Sequence, residues 1–265
     1  MNSEMLKRQE AILRMLSAAG DEWVPVEALI QALDVSGWTV RRDLQRMEQE
    51  GMVQRQYGVV ALALAQPVPS LNSFEERSRE HRAAKRSIGR ATAQLLRAHQ
   101  YVALGAGTTT THVARELAQL RQKPLHIMTN GLNIALELAQ CDNLHVTCTG
   151  GDVRSDHYTL TGPVAEQALR AHFYDVALIG VSGITAKEGL TVSGQLDAVS
   201  LQIMIEQSRR LIVVADSSKV GQVHFVHLAP LSRVDVLVMD RGAPPAFCET
   251  LAGADVELVI AEPGG

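Results

Sequence analysis

At 265 residues and 46% hydrophobic content, the chain is long enough to bury a full core, and ordinary domain sizes favour two unequal units. The net charge of −4 excludes an overall basic footprint, and residues 1–60 alone hold seven Lys/Arg against nine Asp/Glu, so any contact with nucleic acid must rest on a local patch. Cys141, Cys148 and Cys248 form no CxxC pair and no even-numbered framework, which speaks against a zinc ribbon or an extracellular disulfide scaffold. The polar start Met1-Asn2-Ser3-Glu4 and the lack of any apolar run near the ~18 residues of a membrane span predict a cytoplasmic protein without signal peptide or anchor.

The first elements read as three short helices and a hairpin. Met5, Ile12, Leu13 and Leu16 fall on one helical face that stops at Gly20-Asp21; Val26, Leu29, Ile30 and Leu33 make a second amphipathic helix after Pro25. Asp34-Val35-Ser36-Gly37 is a tight turn, and Ser36 is the expected N-cap of a third helix reaching about Glu50, with Val40, Leu44 and Met47 facing inward. Past Gly51, the alternation from Met52 to Val60 turns at Gly58 as a two-stranded wing would. Residues 1–62 therefore read as a winged helix-turn-helix.

A linker is expected over 63–73, where the stretch from Ala65 to Asn72 holds two prolines and no charge. The domain over 74–265 opens with a helix from Phe74 to Arg97, carrying seven Lys/Arg against three Asp/Glu; this basic run reads equally as a solvated face, an aid to DNA affinity or a wall of a ligand site. Apolar strands then alternate with helical stretches: 101–104, 125–129, 144–148, 176–179, 211–215, 234–239 and 256–260. Near-continuous apolar strands separated by helices predict an α/β domain with a mainly parallel sheet covered on both faces.

The outward face of the third helix carries Trp38, Arg41, Arg42, Gln45 and Gln49; the candidate DNA contacts are Ser36, Trp38, Thr39, Arg41, Arg42, Gln45 and Arg46, with Arg55 and Tyr57 on the wing. Arginine reads guanine edges or grips phosphate, glutamine pairs with adenine, and of two adjacent arginines one reads while the other positions. The alternative is a solvated surface comprising Arg41, Arg42 and Asp43. The run from Val35 to Leu44, followed by Gly51 and the segment Arg55 to Gly58, resembles the signature of the DeoR family of transcription regulators. The resemblance continues through Phe74-Glu75-Glu76-Arg77 with Lys85, Gly107-Thr108-Thr109, Thr129-Asn130, Gly150-Gly151, Gly162, Gly180, Gly189-Leu190, Asp216-Ser217-Ser218-Lys219 and Val234-Asp235. It implies a sensor domain for sugar phosphates or similar metabolites, Rossmann-like and similar to ribose-5-phosphate isomerase and the coenzyme A transferases. It also implies a repressor-like mode acting on double-stranded operator DNA as a homodimer or higher homo-oligomer, with neither cofactor nor catalytic activity. The chain departs from the family's pattern at Gly105, where an aspartate is common, at the single wing glycine Gly58, and at Asp197, where glutamate is frequent.

In physical terms, Gly105-Ala106-Gly107-Thr108-Thr109-Thr110 joins a strand to the helix carrying His112 to Leu120. Small residues let the backbone close on an anion, hydroxyls donate, and the helix N-terminus supplies free N–H groups, which together make a phosphate cradle. A P-loop is excluded by the missing Gly-Lys-Ser/Thr, and a dinucleotide fingerprint by Thr110 in place of its third glycine. Thr129, Asn130, Gly150, Gly151 and Arg154 follow other strands, where ligands of open α/β sheets gather, and Lys219 is either a phosphate-pairing cation or a surface lysine. His224 and His227 lack a third ligand nearby, so no metal site is expected. The rival function is a sugar-phosphate isomerase with an appended DNA-binding-like module, its base drawn from Asp152, Asp197 or Asp216.

Overall fold

The computed structural model describes residues 3–19, 23–49, 52–56, 58–62 and 74–262; Tyr57, the helix stop at Gly20-Asp21 and the linker expected over 63–73 lie outside them. The chain divides into two compact units, Met1–Leu71 and Asn72–Gly265.

In the first unit, α1 (Ser3–Ala18), β1 (Val24–Pro25), α2 (Val26–Leu33), α3 (Gly37–Gln49), β2 (Val53–Gln56) and β3 (Val59–Leu62) form a helical trio beside an antiparallel sheet of order β1-β3-β2. The apolar stripes read from the sequence do meet: Ile12, Leu16, Leu29, Val40, Leu44, Met47, Val53 and Val60 are all buried in one cluster. A fully buried leucine such as Leu29 contributes roughly 1.5–3 kcal/mol over an exposed one. β1 was not anticipated, because two residues, one of them Pro25, show no periodicity; it is defined by pairing Val24 with Val60 and Pro25 with Val59. Asp34, in the left-handed region at φ 51°, ends α2 and reverses the chain into α3.

In the second unit, the helix expected over Phe74–Arg97 is two helices, α4 (Phe74–Arg79) and α5 (Arg82–Leu95), separated by His81 at φ 49°. The break has a cause in the Lys85 side chain, whose Nζ donates to the carbonyls of Arg77 and Glu80 at the end of α4, groups that a continuous helix would have used itself. The chain continues with β4 (Tyr101–Leu104), α6 (Thr108–Gln119), β5 (Leu125–Thr129), α7 (Leu132–Leu138), β6 (Leu144–Cys148), β7 (Asp152–Arg154), β8 (Thr159–Thr161) and α8 (Pro163–Arg170). It ends with β9 (Tyr174–Gly180), β10 (Gly183–Thr185), β11 (Gly189–Val192), α9 (Gln195–Glu206), β12 (Ser208–Val214), β13 (Val226–Ala229), β14 (Val236–Asp240), α10 (Pro245–Gly253) and β15 (Glu257–Ala261).

The seven strands expected from apolar runs are the seven strands of one sheet, of order β15-β14-β12-β9-β4-β5-β6. All six neighbouring pairs are parallel. Two apolar clusters fill its two faces, one holding Ala177, Ile179, Leu201, Met204 and Leu211, the other Ile88, Leu104, Val113, Ile127 and Leu178. The chain starts at β4, winds outward to β6, then returns to β9 and winds the other way. The carboxyl ends of β4 and β9 therefore mark the switch point where open α/β sheets bind ligands. The β7–β8 hairpin and the small β10-β11-β13 sheet, which sequence reasoning did not foresee, are short strands with no extended apolar run.

Candidate functional site

On α3, the Thr39 N–H donates to Ser36 Oγ at 3.2 Å and the two hydroxyls lie 2.8 Å apart, so Ser36 caps the helix and directs its first turn outward. With Val40, Leu44 and Met47 in the core, Trp38, Arg41, Arg42, Gln45 and Arg46 are left exposed on the opposite side. The Arg42 guanidinium stacks over the Trp38 ring, 4.7 Å from its centroid, while Trp38 is 68% exposed. A large ring left in solvent yet organised against an arginine forms a pre-arranged contact surface. Arg41 pairs with Glu27 at 3.5 Å and Arg55 with Glu48 at 3.6 Å, lining a cleft of about 390 Å³ between α2, α3 and the wing. Such exposed pairs are worth only about 0–1 kcal/mol, so both arginines can exchange their carboxylates for phosphates at small cost. Asp43 is not part of this surface: it is 1% exposed and takes Arg8 Nε at 2.5 Å, tying α1 to α3.

At the switch point, Gly107 adopts φ 149° and ψ 164°, open only to glycine, and from there α6 begins. Its carbonyl accepts the Thr111 N–H and the hydroxyls of Thr110 and Thr111. The proton of the Thr110 hydroxyl is thus spent on the loop, whereas the hydroxyls of Thr108 and Thr109 have no partner among the described residues, and the N–H groups of Thr108 to Thr110 have no backbone acceptor among them. Asn130 and Thr129 brace the cradle. Asn130 Oδ1 accepts from the Ala106 N–H at 2.9 Å and its carbonyl from Leu160, while Thr129 Oγ1 accepts from Gly131 N–H. Gly151 packs against the carbonyl of Thr161 and Gly150 turns the chain into β7, so both shape the hairpin that carries Arg154.

Two further charged segments, one on α5 and one following β12, interact with each other. Lys85 is 2% exposed on the same α5 face as Ile88, Gly89 and Thr92, and a Cβ on Gly89 would stand 2.7 Å from the His112 carbonyl, so α5 lies directly against the start of α6. Burial holds the Lys85 ammonium below the usual lysine range, opposed by the nearby Asp216 carboxylate and reinforced by Lys219. Asp216 Oδ1 accepts from the N–H and hydroxyl of Ser218, while Oδ2 is buried without a partner. Asp240 fixes the turn through Ser217 N–H at 2.6 Å, which presents Lys219, partly exposed, near Lys85. His112 is buried with Nε2 unpartnered; burial first, then Arg115 and Lys85, push it down to about 4, so it is neutral at physiological pH.

A family model described as the DeoR C terminal sensor domain matches residues 80–241, and one described as a DeoR-like helix-turn-helix domain matches residues 8–65. The chain belongs to the DeoR family. It is 32% identical over 255 residues to a putative aga operon transcriptional repressor of Escherichia coli O157:H7, covering 96% of this chain and 93% of that one. It is 31% identical over 239 residues to the HTH-type transcriptional repressor GlcR of Bacillus subtilis, 90% of each chain. It is 27% identical over 255 residues to the glycerol-3-phosphate regulon repressor of Escherichia coli K12, 96% of this chain and 98% of that one. Among solved structures, ribose 5-phosphate isomerase A of Methanocaldococcus jannaschii matches 51% of this chain and 53% of its own at 15% identity and a TM-score of 0.39.

The residues expected to contact DNA lie within the helix-turn-helix match, and those expected at the ligand site lie within the sensor-domain match. At Gly105, where an aspartate is common in the family, a Cβ would stand 2.9 Å from Leu201 Cδ2, so a side chain there requires Leu201 to shift. From the sequence, Arg77 and Lys85 belong to a basic run with a ligand-site wall among its alternatives, and Asp197 and Asp216 are candidate bases of the rival isomerase. A signal for Lys85 existed, since it shares the apolar stripe of Ile88 and Thr92, where a lysine needs a reason to be. The basic run over 77–97 divides: Arg77 and Lys85 turn inward, whereas Arg86 and Arg90 pair with Glu116 on α6. Among the described residues there is no cluster of three metal-ligating side chains and no helix long and apolar enough to cross a membrane.

Proposed function

We propose that this DeoR-family regulator is a cytoplasmic repressor that binds operator DNA as a homodimer or higher homo-oligomer and releases it when a phosphorylated metabolite occupies the cradle at Gly107–Thr110. The observation that carries the reading is a glycine-only turn at the switch point whose first-turn N–H groups have no backbone acceptor among the described residues, with the Thr108 and Thr109 hydroxyls beside them; Lys219, after β12 on the same sheet edge, and Lys85, on α5 packed against α6, are the cations nearest in the fold's order. A phosphomonoester, with charge near −2 and several acceptors, matches this set. The glycerol-3-phosphate regulon repressor among the relatives supports the same ligand class. Paired recognition helices need a symmetric protein, which supports the oligomer, and three free cysteines suit a reducing compartment.

Catalysis is not part of the proposal. Asp197 Oδ2 is held by Arg154 at 3.2 Å and Asp216 Oδ1 by Ser218, so the protein itself fixes one oxygen of each carboxylate. In this reading the ligand signal passes through the α4–α5 elbow, because α5 packs against α6, which opens at the cradle, while its Lys85 holds the end of α4, the first described element after 63–73. Ligand must bind the DNA-incompetent arrangement more tightly, since equal affinity would shift nothing.

The test is a titration of the full chain onto a fluorescent fragment of its own upstream region, at fixed salt, with a panel of pentose and hexose phosphates. Specific binding relieved by one compound is expected. Specific binding that no phosphorylated compound alters would refute the sensing half, and turnover of any panel member would refute the non-enzymatic half.

A further inference from the structure

Beyond the anion cradle, α4, the β7–β8 hairpin and the first turn of α9 bring together Arg77, Arg154, Asp156, His157 and Asp197. Arg154 is the hub: Nη1 donates to Asp197 Oδ2 at 3.2 Å, Nη2 to Asp156 Oδ2 at 2.8 Å, and Nη2 lies 3.0 Å from His157 Nδ1. The absence of a side chain on Gly194 makes the arrangement possible, since a Cβ there would stand 2.5 Å from Asp197 Oδ2. Two polar atoms in this cluster are buried and unused: Asp197 Oδ1, an acceptor, and Arg77 Nε, a donor. The charges of Asp197, Asp156 and Arg154 act on Arg77, its carbonyl accepts from Lys85 Nζ on α5, and a Cβ on Gly105 would stand 2.9 Å from Leu201, one turn beyond Asp197, so this cluster lies beside the loop that opens α6. An acceptor and a donor left without partners each cost about 1–3 kcal/mol unless water or a ligand meets them. A hydroxyl suits both kinds of atom, donating to a carboxylate and accepting from a guanidinium.

We infer that Asp197 and Arg77 read a hydroxyl of the phosphorylated effector, with Arg154 as the positioning residue that fixes the Asp197 carboxylate. This rests on the proposed anion cradle and adds to it the element that selects among phosphates. The effector is then a phosphomonoester bearing free hydroxyls; a second phosphate at this end would face the carboxylates of Asp197 and Asp156.

The experiment is calorimetric titration of the full-length protein and its Asp197→Ala and Asp197→Asn variants with inorganic phosphate and with the panel of pentose and hexose monophosphates. Wild type is expected to bind at least one sugar monophosphate about tenfold or more tightly than inorganic phosphate. Both variants lose that preference while their affinity for inorganic phosphate stays within about twofold and their operator binding without ligand is unchanged. A preference that survives in both variants overturns the inference, as does a parallel loss of inorganic phosphate and sugar phosphate affinity. Wild type that binds neither compound overturns the cradle itself, a result distinct from loss of selectivity alone. Asp197→Asn retains volume and packing, so the answer does not depend on the alanine variant folding.

Discussion

Replacing Arg8 by methionine tests whether the recognition helix is held by a buried ion pair. Asp43 is 1% exposed and Arg8, 17% exposed, reaches it at 2.5 Å, so the substitution strands a carboxylate in the core of the first unit. Breaking a buried pair by removing one partner costs about 3–5 kcal/mol, and the partial exposure of Arg8 places this case near the lower end, about 3 kcal/mol. A unit of this size has a total stability of roughly 3–9 kcal/mol, so a third or more would be lost. The two tryptophans of the chain, Trp23 and Trp38, both lie in the first unit, which makes tryptophan fluorescence a probe of that unit alone. With a denaturant slope of about 1 kcal/mol per molar urea for so small a domain, the fluorescence midpoint should fall by roughly 3 M. The double variant Arg8→Met/Asp43→Leu, which removes both charges, should recover most of that loss. A single variant whose midpoint moves by less than about 0.5 M would refute the reasoning, because Asp43 would then have to be solvated despite its burial.

Three further outcomes are expected. Arg42→Ala should cost about 1–3 kcal/mol of operator discrimination, read as the affinity ratio of cognate over scrambled DNA at one salt concentration; an unchanged ratio would remove Arg42 from base reading. Gly107→Ala must adopt φ 149° at a cost of about 1–3 kcal/mol and should abolish effector response while sparing DNA affinity, checked by titrating effector into the preformed complex. His112, held down to about 4 against an ordinary 6.5, binds a proton in the unfolded chain before it does so in the native one. Its stabilising effect is therefore complete above pH 6.5 and is lost as pH falls from there towards 4. His112→Leu should flatten that part of the stability profile of the sensor domain relative to wild type, as followed by circular dichroism in denaturant, and identical profiles would show that His112 titrates normally.

Periodicity and local chemistry were enough to read the helices of the first unit, the outward face of α3 and all seven strands of the parallel sheet. The reason is that apolar residues repeating at the period of a helix, or running unbroken as in a doubly covered strand, reflect burial that each element carries with it. Small residues ahead of α6 likewise disclose a glycine-dependent turn, because the need for φ 149° at Gly107 is a property of that residue's own backbone. What depends on elements far apart in the chain was not legible. Asp43 looks like a third surface charge until Arg8 is folded against it from 35 positions away. The helix over 74–97 breaks because Lys85 turns back on the carbonyls of α4, and Asp197 acquires a role only when the β7–β8 hairpin brings Arg154 to it across 43 residues. Local sequence thus decided the elements and the glycine turn, while only tertiary packing decided which charges are buried, which are paired, and which polar atoms are left for a ligand, because the energy of a charge depends on its neighbours in space and on its distance from water.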